Sequence, residues 1–238
     1  MRIADCGLRI ACWAIAAPMF VATAEESITS SPSPESTSAP TATVTPSPSR
    51  SVRISFVPPP LDGTISLGIY DLNSKLVRVL HQQAALEEFT IGADALQTKW
   101  DGKDDFGQDL PPGKYHARGF TVGAVQIEKM PADPAASPPP AGTAVITVKL
   151  MANPLMKSDR SNVQLTIGFD ETDSFVKTTD ELPLYVISER TGITSVAASK
   201  TDDKSIEVWQ SSPAGTEHFR ISKLDQMMAF DCGAFDLK

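Results

Sequence analysis

Sulfur and imidazole are scarce in this chain. Three cysteines and three histidines among 238 residues exclude a multi-disulfide scaffold and leave little from which to build a metal centre. Positive charge is also short: 21 Lys and Arg face 29 Asp and Glu, for a net charge of −8. An acidic chain of this kind does not attract phosphate backbones, so no nucleic-acid partner is expected. The motifs GxSxG, HExxH and CxxC and a phosphate-cradling glycine loop are all missing from the sequence. His81, His116 and His218 lie far apart, and acidic pairs such as Asp170-Glu171 and Asp180-Glu181 point apart on a strand. The expectation is a protein without catalytic residues and without a cofactor. The chain is long enough for one large domain or two small ones.

Long apolar runs are lacking too. The longest, Ile10 to Ala24, follows Arg2 and Arg9 and ends in Ala22-Thr23-Ala24 before Glu25-Glu26. At about 15 residues it is too short to span a bilayer as a helix, and small residues at −3 and −1 fit a secretory cleavage site. Residues 1–24 therefore read as a signal peptide. The expected location is exported, whether periplasmic, cell-surface or secreted, with no membrane span after cleavage. Cleavage removes two Arg and one Asp, so −8 becomes −9, and it leaves Cys232 as the one remaining cysteine. The expected role of that thiol is a small core hydrophobe.

What the chain does have is proline, 19 in all. Residues 25–50 contain 18 Ser, Thr or Pro in 26 positions. Such a segment has nothing to bury against its ordering entropy and reads as an extended linker. A second linker, 131–142, has five Pro in 12 residues and separates 51–130 from 143–238.

The remainder reads as β-strand throughout. Ile65, Leu67 and Ile69 alternate with Ser66, Gly68 and Tyr70, and Val163, Leu165, Ile167 and Phe169 alternate with polar or small residues. Period two places one face on a core. Further β-rich runs are 52–57, 75–80, 114–122, 125–129, 143–150, 183–188, 193–199, 205–210 and 217–222. Turn signals separate them at Asp71–Ser74, Asp101-Gly102, Pro111-Pro112-Gly113 and Asp202-Asp203. Lys223 to Phe230 has helical spacing but is short enough to be a strand, and Ala84 to Phe89 is equally ambiguous. The expected class is all-β: an antiparallel β-sandwich over 51–130, then a second small β domain or β extension over 143–238. A closed propeller does not fit, because 96 residues hold at most two blades of roughly 40–45.

Residues 52–122 carry a resemblance. The strand ending Ile69-Tyr70-Asp71, the turn into Leu76-Val77-Arg78, Trp100-Asp101-Gly102-Lys103-Asp104, Gly107-Gln108 and Leu110-Pro111-Pro112-Gly113-Lys114-Tyr115 occur at the spacing of a bacterial module. The segment resembles the Ig-like domain of the flagellar hook-capping-protein type, found in exported multidomain proteins. The resemblance covers less than a third of the chain. It implies a small antiparallel β-sandwich without catalytic residues. Hook capping itself is not expected, since it needs no cleaved leader. The residues explain themselves in part. Asn73 can supply the positive φ of a hairpin turn, and Asp101 can accept backbone N–H groups. Gly102, Gly107 and Gly113 suit conformations closed to other residues, and Trp100 should lie partly in the core.

Two binding chemistries compete with a purely structural role. Asp101, Asp104, Asp105 and Asp109 put four carboxylates in nine residues, weak candidates for calcium. The EF-hand spacing fails, with Lys103, Phe106 and Pro112 where ligands or glycine belong. Tyr185, Trp209 and Phe219 are the weak candidates for a carbohydrate platform, and burial of these rings would end that role for them. The leading expectation is an exported, non-catalytic structural or interaction protein. It would present loops and sheet edges to an unknown protein or polysaccharide of the cell envelope. The alternative is a carbohydrate-binding protein.

Overall fold

The computed structural model describes residues 50–131, 144–156 and 162–238. The leader, the first linker up to residue 49 and nearly all of the second linker lie outside the described residues. The elements are β1 (Val52–Phe56), β2 (Thr64–Tyr70), β3 (Leu76–Ala84), β4 (Thr90–Ile91), β5 (Leu96–Trp100), β6 (Gly113–Val122), β7 (Gln126–Lys129) and β8 (Ile146–Lys149). They continue as β9 (Asn162–Phe169), β10 (Asp173–Thr178), β11 (Pro183–Glu189), β12 (Ser195–Lys200), β13 (Ile206–Ser212), β14 (Gly215–Ser222) and β15 (Met227–Leu237). One turn of 3₁₀ helix, Leu86–Glu88, follows β3. The chain is all-β, and its strands pair antiparallel in four sheets.

The sheets run β1-β5-β4, β15-β6-β2-β3, β11-β10-β9-β8 and β12-β13-β14-β7. The first two enclose one core, with Ile54, Leu67, Trp100, Tyr115 and Phe230 at its centre. The other two enclose a second, with Leu165, Val176, Leu184, Val208 and Ile221. A cut of the chain at 131–142 does not describe this fold. β7 precedes the Pro-rich linker yet pairs with β14, and β15 ends the chain yet pairs with β6. The described residues from Arg50 to Lys238 fall in one compact unit. The physical reason is an open edge. β6 pairs with β2 on one side, and its free N–H and C=O groups on the other need a strand.

That ladder runs through both cores. Val122, Met227 and Ala229 belong to the second, while Ala117, Phe230 and Leu237 belong to the first. The stretch from Lys223 therefore forms a strand and not a helix. Lys223 itself has a positive φ of 63°, the Gln226 N–H closes a turn onto the Lys223 carbonyl, and β15 begins at Met227. The Ala84–Phe89 stretch resolves into the 3₁₀ turn, where the Glu88 carboxylate accepts the Ala85 N–H at 2.8 Å.

β2 departs from simple alternation. Ile65, Leu67 and Ile69 fill the first core, but Ser66 and Tyr70 on its other face are buried as well. The second sandwich covers that face. The Ser66 hydroxyl donates to the Leu184 carbonyl at 3.2 Å, and Leu182 lies against Gly68. In the β2–β3 hairpin the Asp71 carboxylate accepts the N–H groups of Asn73 and Lys75. The positive φ falls on Ser74, at 62°, and not on Asn73. Gly102 and Gly107 both take φ of 77°, whereas Gly113 opens β6 outside the left-handed region.

A polar belt crosses the second sandwich. Ser174 and Ser188 donate to Gln210 Oε1 at 2.7 and 2.8 Å, and Gln210 Nε2 donates to Glu217 at 2.8 Å. Lys129 and Arg190 pair with the same carboxylate. Lys129 first, then Arg190 and Gln210, hold the Glu217 carboxyl at about 2, against an ordinary value of 4.5. A depressed native pKa stabilises the fold above the ordinary value and loses that contribution on acidification. Unfolding free energy is thus expected to drop between pH 4.5 and about 2, by on the order of 2 kcal/mol for this group once solvent screening is counted. Denaturant titrations across that range should show a shallower slope for Glu217→Gln than for the native chain. Parallel slopes would remove Glu217 from the acid response.

Candidate functional site

On the back face of the β15-β6-β2-β3 sheet, converging polar side chains border a cavity. Alternation on β6 sends Tyr115 and Ala117 to the first core and His116, Arg118 and Phe120 to the opposite side, toward the second sandwich. Register then sets the neighbours. Asp231 lies opposite Arg118 on β15, Gly68 lies opposite it on β2, and Tyr70 lies opposite His116. The absence of a side chain at Gly68 lets Leu76 and Leu182 close over the strand, since an added Cβ would stand 2.6 Å from Leu76 Cδ1 and 3.1 Å from Leu182 Cδ1.

The Arg118 guanidinium carbon sits 3.9 Å from the centroid of the Tyr70 ring, a favourable place for a partly desolvated cation. Its Nη2 donates to the carboxylate of Asp180. Asp180 is carried in by the β10–β11 turn, where Glu181 has a φ of 74°. The Thr178 hydroxyl donates to Asp180 and accepts the Leu182 N–H at 3.0 Å, which fixes the turn. His116 Nε2 and Asp231 Oδ1 are 2.8 Å apart. Beside this cluster is a cavity of about 220 Å³, bordered by Arg118, Phe120, Asn162, Gln164, Thr178 and Asp180 among others. Its walls come from both sandwiches.

The residues singled out from sequence lie elsewhere. Asp101 Oδ1 accepts the Lys103 N–H at 3.1 Å, and Asp104 Oδ1 accepts those of Phe106 and Gln108 at 2.9 and 2.8 Å. Asp105 Oδ1 accepts the Val79 N–H at 2.9 Å, on the outer edge of β3, and lies 3.8 Å from Arg78. These carboxylates shape one loop and cover a strand edge, and among the described residues no group of three or more metal-ligating side chains converges. Tyr185, Trp209 and Phe219 are 2%, 8% and 6% exposed. None presents a ring to solvent, so none forms a carbohydrate platform. Trp209 stacks on His218 with centroids 4.4 Å apart, Phe219 and Tyr185 belong to the second core, and burial pushes the Tyr185 phenol pKa well above its ordinary value. Cys232 is a free thiol packed against the first core. Burial, then the neighbouring Asp231 charge, pushes it up to about 12, which makes it a poor nucleophile.

The chain matches no family model, no curated protein and no solved structure. The site must therefore be read from its own chemistry. Arg118 and Asp180 are 62 residues apart in sequence, and sequence reasoning did not join them. A weak signal existed: Arg118 is a charged residue on a strand whose neighbours Tyr115, Ala117 and Phe120 all suit burial, and charges are rarely placed so without a partner. Among the described residues no helix is long and apolar enough to cross a membrane.

Proposed function

We propose that the chain is an exported, non-catalytic structural and interaction module. It is built on an Ig-like sandwich of the hook-capping type and presents loops and sheet edges to a cell-envelope or extracellular partner. The observation that carries this reading is the β6–β15 ladder. Ten paired positions, from Met227 opposite Val122 to Leu237 opposite Gly113, tie two hydrophobic cores into one body. A separate sandwich on each side of a flexible linker would move independently, whereas strands shared between cores transmit force without a hinge. Ion pairs and backbone hydrogen bonds hold the charged groups Arg118, Asp180, Asp104 and Glu217 in fixed places, which suits scaffold chemistry. The loop tips carry exposed apolar side chains, Leu72 on one hairpin and Phe106 on the Asp-rich loop, on rigid supports.

Fractionation of the producing cells tests the reading. The expected result is a chain outside the cytoplasm whose N-terminus, by mass, begins after Ala24, and which pellets with washed envelope. A full-length chain recovered in the cytoplasm would overturn it, as would a chain that stays in the supernatant when mixed with that envelope fraction.

A further inference from the structure

We propose that the cleft between the two sandwiches, beside the Arg118–Asp180 pair, binds one ring of a neutral polyhydroxylated ligand, a sugar residue. Its charge argues for neutrality. Arg118 and Asp180 are the only charged residues on its described walls, and they pair with each other. Among the described residues, an anion or cation entering here meets no unpaired counter-charge and would have to break that pair, leaving a partly buried charge without its partner.

The hydrogen-bonding groups suit hydroxyls. Asn162 and Gln164 are exposed side chains on β9 at the cleft. Each amide offers a carbonyl acceptor beside N–H donors, which complements adjacent hydroxyls that both donate and accept. Asp180 keeps further lone pairs after accepting from Arg118 and Thr178. Phe120 adds apolar wall, against which the C–H face of a sugar ring can lie. A cavity of about 220 Å³ holds roughly seven waters' worth of liquid volume and falls below the range of about 300–1,000 Å³ usual for larger ligands. One ring fits, and a longer glycan would extend into solvent. The walls are preorganised, because the shared ladder and the Thr178 turn fix Arg118 and Asp180 before any ligand arrives.

The inference does not rest on the scaffold reading, since the junction is equally rigid with the cleft empty or filled. The experiment uses the whole chain from residue 25 to residue 238. Methyl glycosides of glucose, galactose, mannose and N-acetylglucosamine are titrated by saturation-transfer NMR, beside insoluble cellulose and chitin in a pelleting assay. Sodium phosphate and sodium acetate serve as charged controls. The expected result is saturable binding of at least one glycoside, weakened about 3- to 10-fold by Gln164→Ala and by Asn162→Ala, as loss of a neutral hydrogen bond implies. Both positions are exposed, and an unchanged melting temperature shows that the variants fold. Glycoside binding together with pelleting assigns a polysaccharide source, and glycoside binding without pelleting assigns free sugars or shorter glycans. No glycoside binding up to the solubility limit overturns the proposal. So does glycoside binding indifferent to both substitutions, or binding of phosphate or acetate alone. None of these outcomes bears on envelope association, which is read separately.

Discussion

A fragment ending at residue 130 is expected not to fold. It contains the whole of the segment that resembles the Ig-like module, yet it lacks β15. Phe230 stacks on Phe56 with centroids 4.9 Å apart, Phe235 meets Trp100 edge-on at 5.8 Å, and Leu237 is 3% exposed in the same core. Removing Phe230 and Leu237 alone forfeits roughly 3–6 kcal/mol of burial, against a typical total of about 5–15 kcal/mol for a domain. The outer edge of β6 is left unpaired at the same time. Amide NMR spectra of the fragment should be collapsed and its thermal denaturation non-cooperative, while the chain extended to residue 238 melts in a cooperative transition. Addition of a peptide spanning 223–238 should restore dispersion. A fragment that folds by itself would show that the first core closes without β15.

The second large effect is expected at Gly119. A Cβ added there would stand 2.2 Å from the Ser66 carbonyl oxygen and 2.8 Å from Phe230 Cζ. Ser66 O is backbone within the β2–β6 ladder, where Leu67 lies opposite Gly119, so it cannot swing aside as a side chain can. Gly119→Ala should destabilise by about 3 kcal/mol or more, through overpacking that shifts two strands at once. Gly107 supplies the contrast. It has a φ of 77° with nothing within 4 Å of an added Cβ, so Gly107→Ala should cost about 1 kcal/mol from backbone strain alone. Urea denaturation of the two variants separates them. Equal losses would mean that the sheet at Gly119 relaxes without penalty.

The two glycines show why some of this protein was legible in its sequence and some was not. Gly107 lies in a run of Asp and Gly whose turn chemistry is local, and the Asp104 carboxylate caps its neighbours within four residues. Gly119 looks like any strand glycine until the partner strand is known. The same division separates the strands. β2 and β9 announce themselves through apolar alternation. β10 was missed because two of its three inward residues are hydroxyls, Ser174 and Thr178, and their burial is favourable only once Gln210 and the Leu182 backbone are beside them. β15 carried helical spacing in its first residues, and pairing with β6 overrode it.

The functional site divides in the same way. The Asp-rich loop was visible because its residues are close in sequence, and its role is local. The partner of Arg118 was not legible, because a turn after β10 and the centre of β6 meet only when one sandwich is laid on the back of the other. Sequence by itself determined an all-β chain with short antiparallel strands and Asp- and Gly-built turns, since period and turn chemistry act over a few residues. Tertiary structure alone decided which strands share a sheet and that β2 is buried on both faces. It also placed Tyr185, Trp209 and Phe219 out of solvent's reach and opened a cleft at the junction. Those outcomes depend on pairings between residues tens to more than a hundred positions apart, such as Ser66 with Leu184, and their free energy appears only when distant segments exclude water from a common surface.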